Sequence, residues 1–416
     1  MKKVLVSLLV LAVMVSSLGL IGCQSDTGPT GDALKEPIKI GFLAPFTGTF
    51  AAPGTDMRDG FLLYLEEHEW VLGGHPVDLI VEDTAGNPGV ALTKARKLVE
   101  SDGVDILVGT LLASEGYAVA EYAKDNKITL ILPIAASDDL TKELVSDYVL
   151  RCGWSGSQVT HPFGDYVYNE LGYRKVALIG MDYAFGYETL GGFQYAFEQL
   201  GGEVVTRIWT PIGVPDFGPY LASIPTDVDA VVSLYVGGDA TRFIPAYAEY
   251  GLKDKLPLLG VGTLTDESTM QTMGDECIGL ITALHYSGAL DTPENKAYAE
   301  AFRKRYGRQA SYYNEGPYTS GIVLDAVLEI VEDFRDPLAF AEAFRTVPIQ
   351  SPRGPMTIDE YNNPVFNVYV RKVEKIDGEL KNIVIHTYPE VSQFWTWDPD
   401  EYMARPVYTR DHPAVK

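Results

Sequence analysis

The stretch Ile38-Lys39-Ile40-Gly41-Phe42-Leu43 is an apolar run of strand length. Its neighbours repeat the pattern. Residues 55–69 have helical periodicity, residues 77–82 read as a second strand, and Asn87-Pro88 opens another helix. In that helix Ala91, Leu92, Ala95, Leu98 and Val99 fall on one face, spaced as a 3.6-residue turn requires. Asp105-Ile106-Leu107-Val108-Gly109 and residues 128–132 are further strands, with a helix between them. Apolar strands alternating with helices imply a parallel sheet covered on both faces.

The rhythm restarts after Gly172, with strands expected at 175–179, 204–209, 230–235 and 256–259. Thr292-Pro293 then caps a helix that ends at Gly307, and another helix is expected over 316–332. The fold class is therefore α/β: two similar halves, with late helices that return the chain to the first. Two doubly wound sheets side by side leave a cleft at the carboxyl ends of their strands, where ligands of such sheets bind.

The N-terminus fixes the compartment. Lys2 and Lys3 precede an apolar run from Val4 to Leu18, closed by Leu20-Ile21-Gly22-Cys23. A basic start, a short apolar core and small residues form an export signal, too short to span about 30 Å of hydrocarbon. The expected division is a signal over 1–22 and a Ser/Thr/Gly-rich tether over 23–36. The chain has 33 basic and 57 acidic residues, net −24, which disfavours nucleic acid and anionic surfaces as partners. The histidines at 68, 75, 161, 285, 386 and 412 lack metal-ligand spacing. No nucleophile elbow, phosphate loop or dinucleotide fingerprint occurs. No cofactor, metal or catalytic residue is expected, and the chain reads as a binding protein rather than an enzyme. Cys152 and Cys277 either pair or remain buried thiols.

Residues 38–48, Glu82-Asp83-Thr84, Asn87-Pro88, Ala95-Arg96-Lys97-Leu98-Val99, Val108-Gly109, residues 133–141, Asp182-Tyr183-Ala184-Phe185-Gly186 and Tyr235-Val236-Gly237-Gly238 follow one another in order. Together they resemble the leucine/isoleucine/valine-binding protein family over about residues 38–375. Leu-Ile-Gly-Cys resembles the bacterial lipobox, which would make Cys23 the lipid-modified first residue of the mature chain. The resemblance implies the periplasmic binding protein type I fold, with two lobes joined by three crossovers near 151–157, 281–287 and 351–361. Lobe 1 is expected over 37–152 plus 287–350 and lobe 2 over 153–286 plus 351–385. Residues 386–416, with Phe394, Trp395 and Trp397, form an extension expected to pack on the body. The implied protein is a monomeric, lipid-anchored, extracytoplasmic solute-binding component that closes on a small molecule and docks on ABC permease subunits. A sensor using the same fold to signal to a partner is the competing reading.

Amino-acid receptors of that family hold a zwitterion with a serine, a threonine, a tyrosine and an acid, because a buried charge must be paired. The matching positions here are Ala113 or its neighbour Ser114, then Ala135-Ala136 or Ser137, then Phe185 and Gly262. Gly262 supplies no acid, and Asp239 or Asp266 stands nearby in sequence as a substitute partner for an ammonium. Ser114 directly precedes an expected helix over 115–124, so its amide suits a carboxylate. The expected ligand is a carboxylate without an amine, or else a hydrophobic amino acid. Phe46, Trp154, Tyr183, Phe185 and Tyr235 are either its walls or ordinary core.

Overall fold

The computed structural model describes residues 34–415. The export signal, Cys23 and most of the tether lie outside the described residues. Among those described, no helix is long and apolar enough to cross a membrane.

The first sheet has six strands: β1 (Ile38–Ala44), β2 (Val71–Leu72), β3 (His75–Asp83), β4 (Ile106–Gly109), β5 (Thr129–Leu132) and β6 (Val149–Arg151). They lie in the order β2-β3-β1-β4-β5-β6. Every pair from β3 to β6 is parallel. Helices α1 (Ala51–Glu67), α2 (Pro88–Arg96) and α3 (Ala113–Asn126) connect them. Ile38, Ile40, Phe42 and Ala44 of β1 are buried in the main core, while Leu43 faces a smaller one with Leu98, Leu107 and Leu130. Both faces of the strand are therefore covered, which is why it reads as a nearly continuous apolar run.

After α4 (Thr160–Asn169) the second sheet is laid down as β7 (Lys175–Met181), β8 (Glu203–Thr210), β9 (Ala230–Leu234), β10 (Leu258–Val261) and β11 (Ile281–Leu284). Helices α5 (Ala184–Gln199), α6 (Gly218–Leu221), α7 (Gly237–Glu249) and α8 (Glu267–Met270) accompany these strands. The chain then returns to the first lobe as α9 (Pro293–Tyr306), α10 (Tyr312–Ile330) and α11 (Pro337–Thr346). There Tyr64 of α1 donates to Asp325 of α10 at 2.9 Å. The return ends in β12 (Ile349–Ser351), β13 (Gly354–Ile358), β14 (Pro364–Ile376) and β15 (Glu379–Val391). The second sheet runs β12-β13-β14-β11-β10-β9-β7-β8, with β15 on β14.

The two lobes are thus crossed three times, after β6, after β11 and after α11. The crossings are braced by buried charge. Arg353 lies against Glu315 of α10 at 2.6 Å and donates to the Gly153 carbonyl at 2.8 Å, joining the third crossing to the first. Arg151 donates to Thr141 and Asn363 at 3.0 and 2.9 Å.

Several expected bounds move. The helix expected over 316–332 starts at Tyr312, because Ser311 and Asn314 bond each other ahead of it. The expected start of the C-terminal extension at residue 386 falls inside β15, where Val370 pairs His386 and Phe366 pairs Val391. Residues 383–388 are largely β-branched and aromatic, so the ladder continues to Val391. Beyond it, Trp397 packs at 4.8 Å from His161 and 5.2 Å from Tyr195, and α12 (Pro399–Met403) buries Tyr402. Cys152 and Cys277 are both free and buried. Burial pushes their thiols up to about 12 and about 11, which leaves them unreactive.

Candidate ligand-binding site

Where the carboxyl ends of the two sheets face each other, a small cavity is lined by Leu111, Leu112, Ala113, Ile134, Ala136 and Trp154 of the first lobe and its crossover. Tyr183, Phe185 and Val236 of the second lobe, and Tyr312 and Tyr313 of α10, complete the wall. The cavity measures about 20 Å³, room for roughly one water, so the lobes must part to admit a solute.

The walls are aromatic. Trp154 meets Phe185 edge-on at 5.4 Å and Tyr312 at 6.1 Å, and His285 backs it at 5.2 Å. Burial drives the His285 imidazole well below its usual range, helped by Arg353 and Arg371, so it stays neutral. Trp154 Nε1 and Tyr313 Oη are buried without a hydrogen-bond partner among the described residues. Two unmet polar atoms in one apolar cavity mark where a ligand's polar atoms belong.

Three helices start at this cavity, and none of them has a short polar residue at its N-cap, as is also true of α1, α4 and α6 elsewhere. Asn87, Thr292, Asp336 and Asp398 cap α2, α9, α11 and α12 with side-chain acceptors. The corresponding residues of α3, α5 and α7 are Leu112, Tyr183 and Val236, whose own side chains offer no acceptor; at α3 the Glu115 carboxylate reaches back and accepts from the Leu112 amide at 3.1 Å. The first intrahelical bonds are Gly116 N–H to Leu112 O at 2.9 Å and Tyr187 N–H to Tyr183 O at 3.1 Å. The amides ahead of them have no helical acceptor. At α7 the Asp239 amide turns back to the Val236 carbonyl at 3.2 Å, and the other first-turn amides face a cavity whose wall carries no cationic side chain.

Five of the residues singled out from sequence meet here: Ala113, Ala136, Trp154, Tyr183 and Phe185. The other six do not line the cavity. Ser114 lies in the first turn of α3, not ahead of it, and faces a separate groove with Tyr117 and Leu140. Ser137 is buried and donates to the Ala113 carbonyl at 3.0 Å, which ties the loop after β5 to α3. Ala135 packs into the smaller core. Phe46 is half-buried under Arg58 at 5.6 Å. Tyr235 stacks on Phe243 at 4.1 Å inside the second lobe, and its hydroxyl accepts from Thr210 at 3.3 Å. At Gly262 a Cβ would run into the Arg371 guanidinium, which takes the Gly262 carbonyl at 2.8 Å.

The possible acid substitutes differ. Asp239 is engaged by Arg242 and by the Gly213 amide at 2.8 Å. Asp266 keeps Oδ2 unpartnered and buried. Burial, then Glu267, pushes it well above the usual carboxylate range, which weakens it as a counter-ion. Among the wall residues, sequence reasoning missed Leu111, Leu112, Ile134, Val236, Tyr312 and Tyr313. Ser311 ahead of two tyrosines was a readable helix start for the last pair. Among the described residues no group of His, Cys, Asp or Glu is placed to hold a metal.

The model of the periplasmic binding protein family matches residues 37–379. The Leu/Ile/Val-binding protein homolog 6 of Brucella suis is 30% identical over 364 residues, covering 86% of this chain and 93% of that protein. An ABC transporter substrate-binding protein from Sphaerobacter thermophilus is 34% identical with a TM-score of 0.81, over 86% of this chain and 99% of that one. A solute-binding protein of Rhodopseudomonas palustris BisB5 in complex with 3,4-dihydroxybenzoic acid is 31% identical with a TM-score of 0.81, over 88% and 99%. A second from R. palustris, in complex with benzoate, is 29% identical with a TM-score of 0.80, over 87% and 98%. The chain therefore belongs to the periplasmic binding protein family, with the type I fold of the Leu/Ile/Val-binding proteins, the substrate-binding components of ABC transporters.

Proposed function

We propose that the protein captures a small aromatic or apolar carboxylate for an ABC importer, by closing its lobes over it, and does no chemistry on it. The observation that carries this reading is the cavity itself: starts of α3, α5 and α7 without a short polar cap residue, aromatic walls, and no charged side chain in the lining. A carboxylate would sit on the free amides, and Trp154 would part from Phe185 and Tyr312, which it meets edge-on here, to take its ring. An ammonium would find no ionised partner there and would cost several kcal/mol to bury. The benzoate and dihydroxybenzoate complexes of relatives with the same fold support the ligand class. The unpaired oxygen of Asp266, buried near Tyr312 and Tyr313, favours a ligand that carries a hydroxyl as well.

The proposed location is extracytoplasmic, anchored to the membrane through Cys23, with the permease as protein partner and the binding chain a monomer. Metabolic labelling with a radioactive fatty acid is expected to mark the wild type and not Cys23→Ala. Equal labelling of both would remove the anchor. Lobe 1 is assigned 37–152 and 287–350, and lobe 2 begins at 153 and takes in β14 and β15. Titration calorimetry with benzoate, 4-hydroxybenzoate, leucine and valine tests the ligand class. Aromatic acids are expected to bind and the amino acids to fail.

A further inference from the structure

Behind the cavity, beyond Phe185, a second set of polar groups spans the two lobes. Glu188 of α5 is buried in the second lobe. Across from it the first lobe supplies Tyr117 of α3 and the pair Asp138-Asp139 that follows β5. The Tyr117 hydroxyl donates to Glu188 Oε1 at 2.7 Å and lies 3.2 Å from Asp139 Oδ2. Asp138 Oδ1 accepts from the Ser157 amide at 3.1 Å. The remaining oxygens, Glu188 Oε2, Asp138 Oδ2 and Asp139 Oδ1, are buried with no hydrogen-bond partner among the described residues.

Three carboxylates in one dry space need three compensating charges, and two cations are near. Arg151 gives its guanidinium to Thr141, Asn363 and the Ser137 carbonyl. Lys142 gives its ammonium to the Arg405 carbonyl at 2.5 Å, and among the described residues its only carboxylate within ion-pair reach is Glu143 at 4.0 Å. Neither touches the three acids. Tyr183, Tyr402 and Tyr408 also face the acids as neutral phenols whose ionisation burial opposes, and Arg405 stands on the far side of Lys142. With Glu143 beside Lys142 and Asp359 facing Arg151, the three acids have no cation of their own among the described residues, and a proton is the smallest partner that removes one of their charges.

We propose that closure of the lobes takes up a proton from solvent together with the solute, at a three-carboxylate site assembled from Asp138 and Asp139 of one lobe and Glu188 of the other. The inference rests on the hinge-closure reading but not on the identity of the ligand. Opening the cleft withdraws Glu188 from Tyr117 and Asp139 and returns the acids to water. Closing it excludes water and sets like charges together, so one acid must bind a proton. Burial, then Asp138 and Glu143, pushes Asp139 up to about 7, and burial drives Asp138 and Glu188 upward as well. The sign follows. The closed form binds more protons than the open form, so its advantage is complete below the ordinary carboxylate range near 4, declines as pH rises, and is gone above about 7.

The test has two arms, with wild type, Glu188→Gln and Asp139→Asn as the proteins. Without ligand, small-angle scattering is expected to give a smaller radius of gyration at pH 6 than at pH 8 for the wild type. The difference is expected to vanish in Glu188→Gln, where the amide is neutral at both. Asp139→Asn is a second variant at a more open position, should Glu188→Gln not fold. With benzoate, whose own ionisation lies below this window, wild-type affinity is expected to be about tenfold higher at pH 6 than at pH 8 and flat in the variants. Equal wild-type compaction at both pH values, or an undiminished pH response in the variants, overturns the proposal. A wild type that compacts at pH 6 without binding benzoate removes the ligand assignment and upholds the proton site.

Discussion

Trp154 stands at the junction of hinge and cavity, on the first crossing between lobes, and its indole N–H is buried without an acceptor. An unmet donor costs about 1–3 kcal/mol, and a ligand oxygen placed there recovers it. Trp154→Phe keeps a ring against Phe185 and removes the donor. It is expected to weaken benzoate binding about tenfold with little change in the urea midpoint of the free protein. Unchanged affinity would place the carboxylate elsewhere. Gly262→Ala is the contrasting case, because a methyl group there meets Arg371 and Leu284 with no room to shift. It is expected to lower the unfolding midpoint well before it alters ligand selection. Sequence singled out both residues for different reasons. Trp154 was legible as an aromatic at a crossover. The guanidinium beside Gly262 was not, since Arg371 comes 109 residues later.

In the proposed function, helix starts carry most of the recognition. Ordinary capping at Asn87 and Thr292 was plain in the sequence, as was the end of α9 at Gly307. The starts at Leu112, Tyr183 and Val236 were harder to read, because local rules favour short polar residues there and these positions break them. Ser114 looked like the start of its helix for the same reason, and the structure puts it inside the first turn, two residues past the cap at Leu112. Val236→Asn tests this directly by giving α7 its own acceptor. The asparagine is expected to bind the free amides, weakening carboxylate affinity about tenfold, a change of ~1.4 kcal/mol that matches one cap. Calorimetry of the variant with benzoate checks it. The strands were the easiest elements to place, since two covered faces leave only apolar choices. The length of β15 was missed, because its pairing with β14 rather than its composition decides where it ends.

Motion of one lobe against the other is what the molecule adds to its parts. A cavity of about 20 Å³ cannot hold an aromatic acid, so the closed form seen here must open first. The two-lobed plan followed from the repeated βα rhythm, but the bracing did not, because Arg353 and Glu315 join distant segments. Glu315→Gln leaves Arg353 buried beside a neutral amide. It is expected to cost about 3–5 kcal/mol in urea unfolding, whereas an exposed pair such as Arg303–Glu379 is expected to cost under about 1 kcal/mol. The central claim, that this family member selects an aromatic carboxylate over an amino acid, is met most directly by one competition. Titration calorimetry with 4-hydroxybenzoate and with leucine is predicted to give a saturable signal for the aromatic acid and none for leucine. Tight leucine binding with no response to 4-hydroxybenzoate would contradict it.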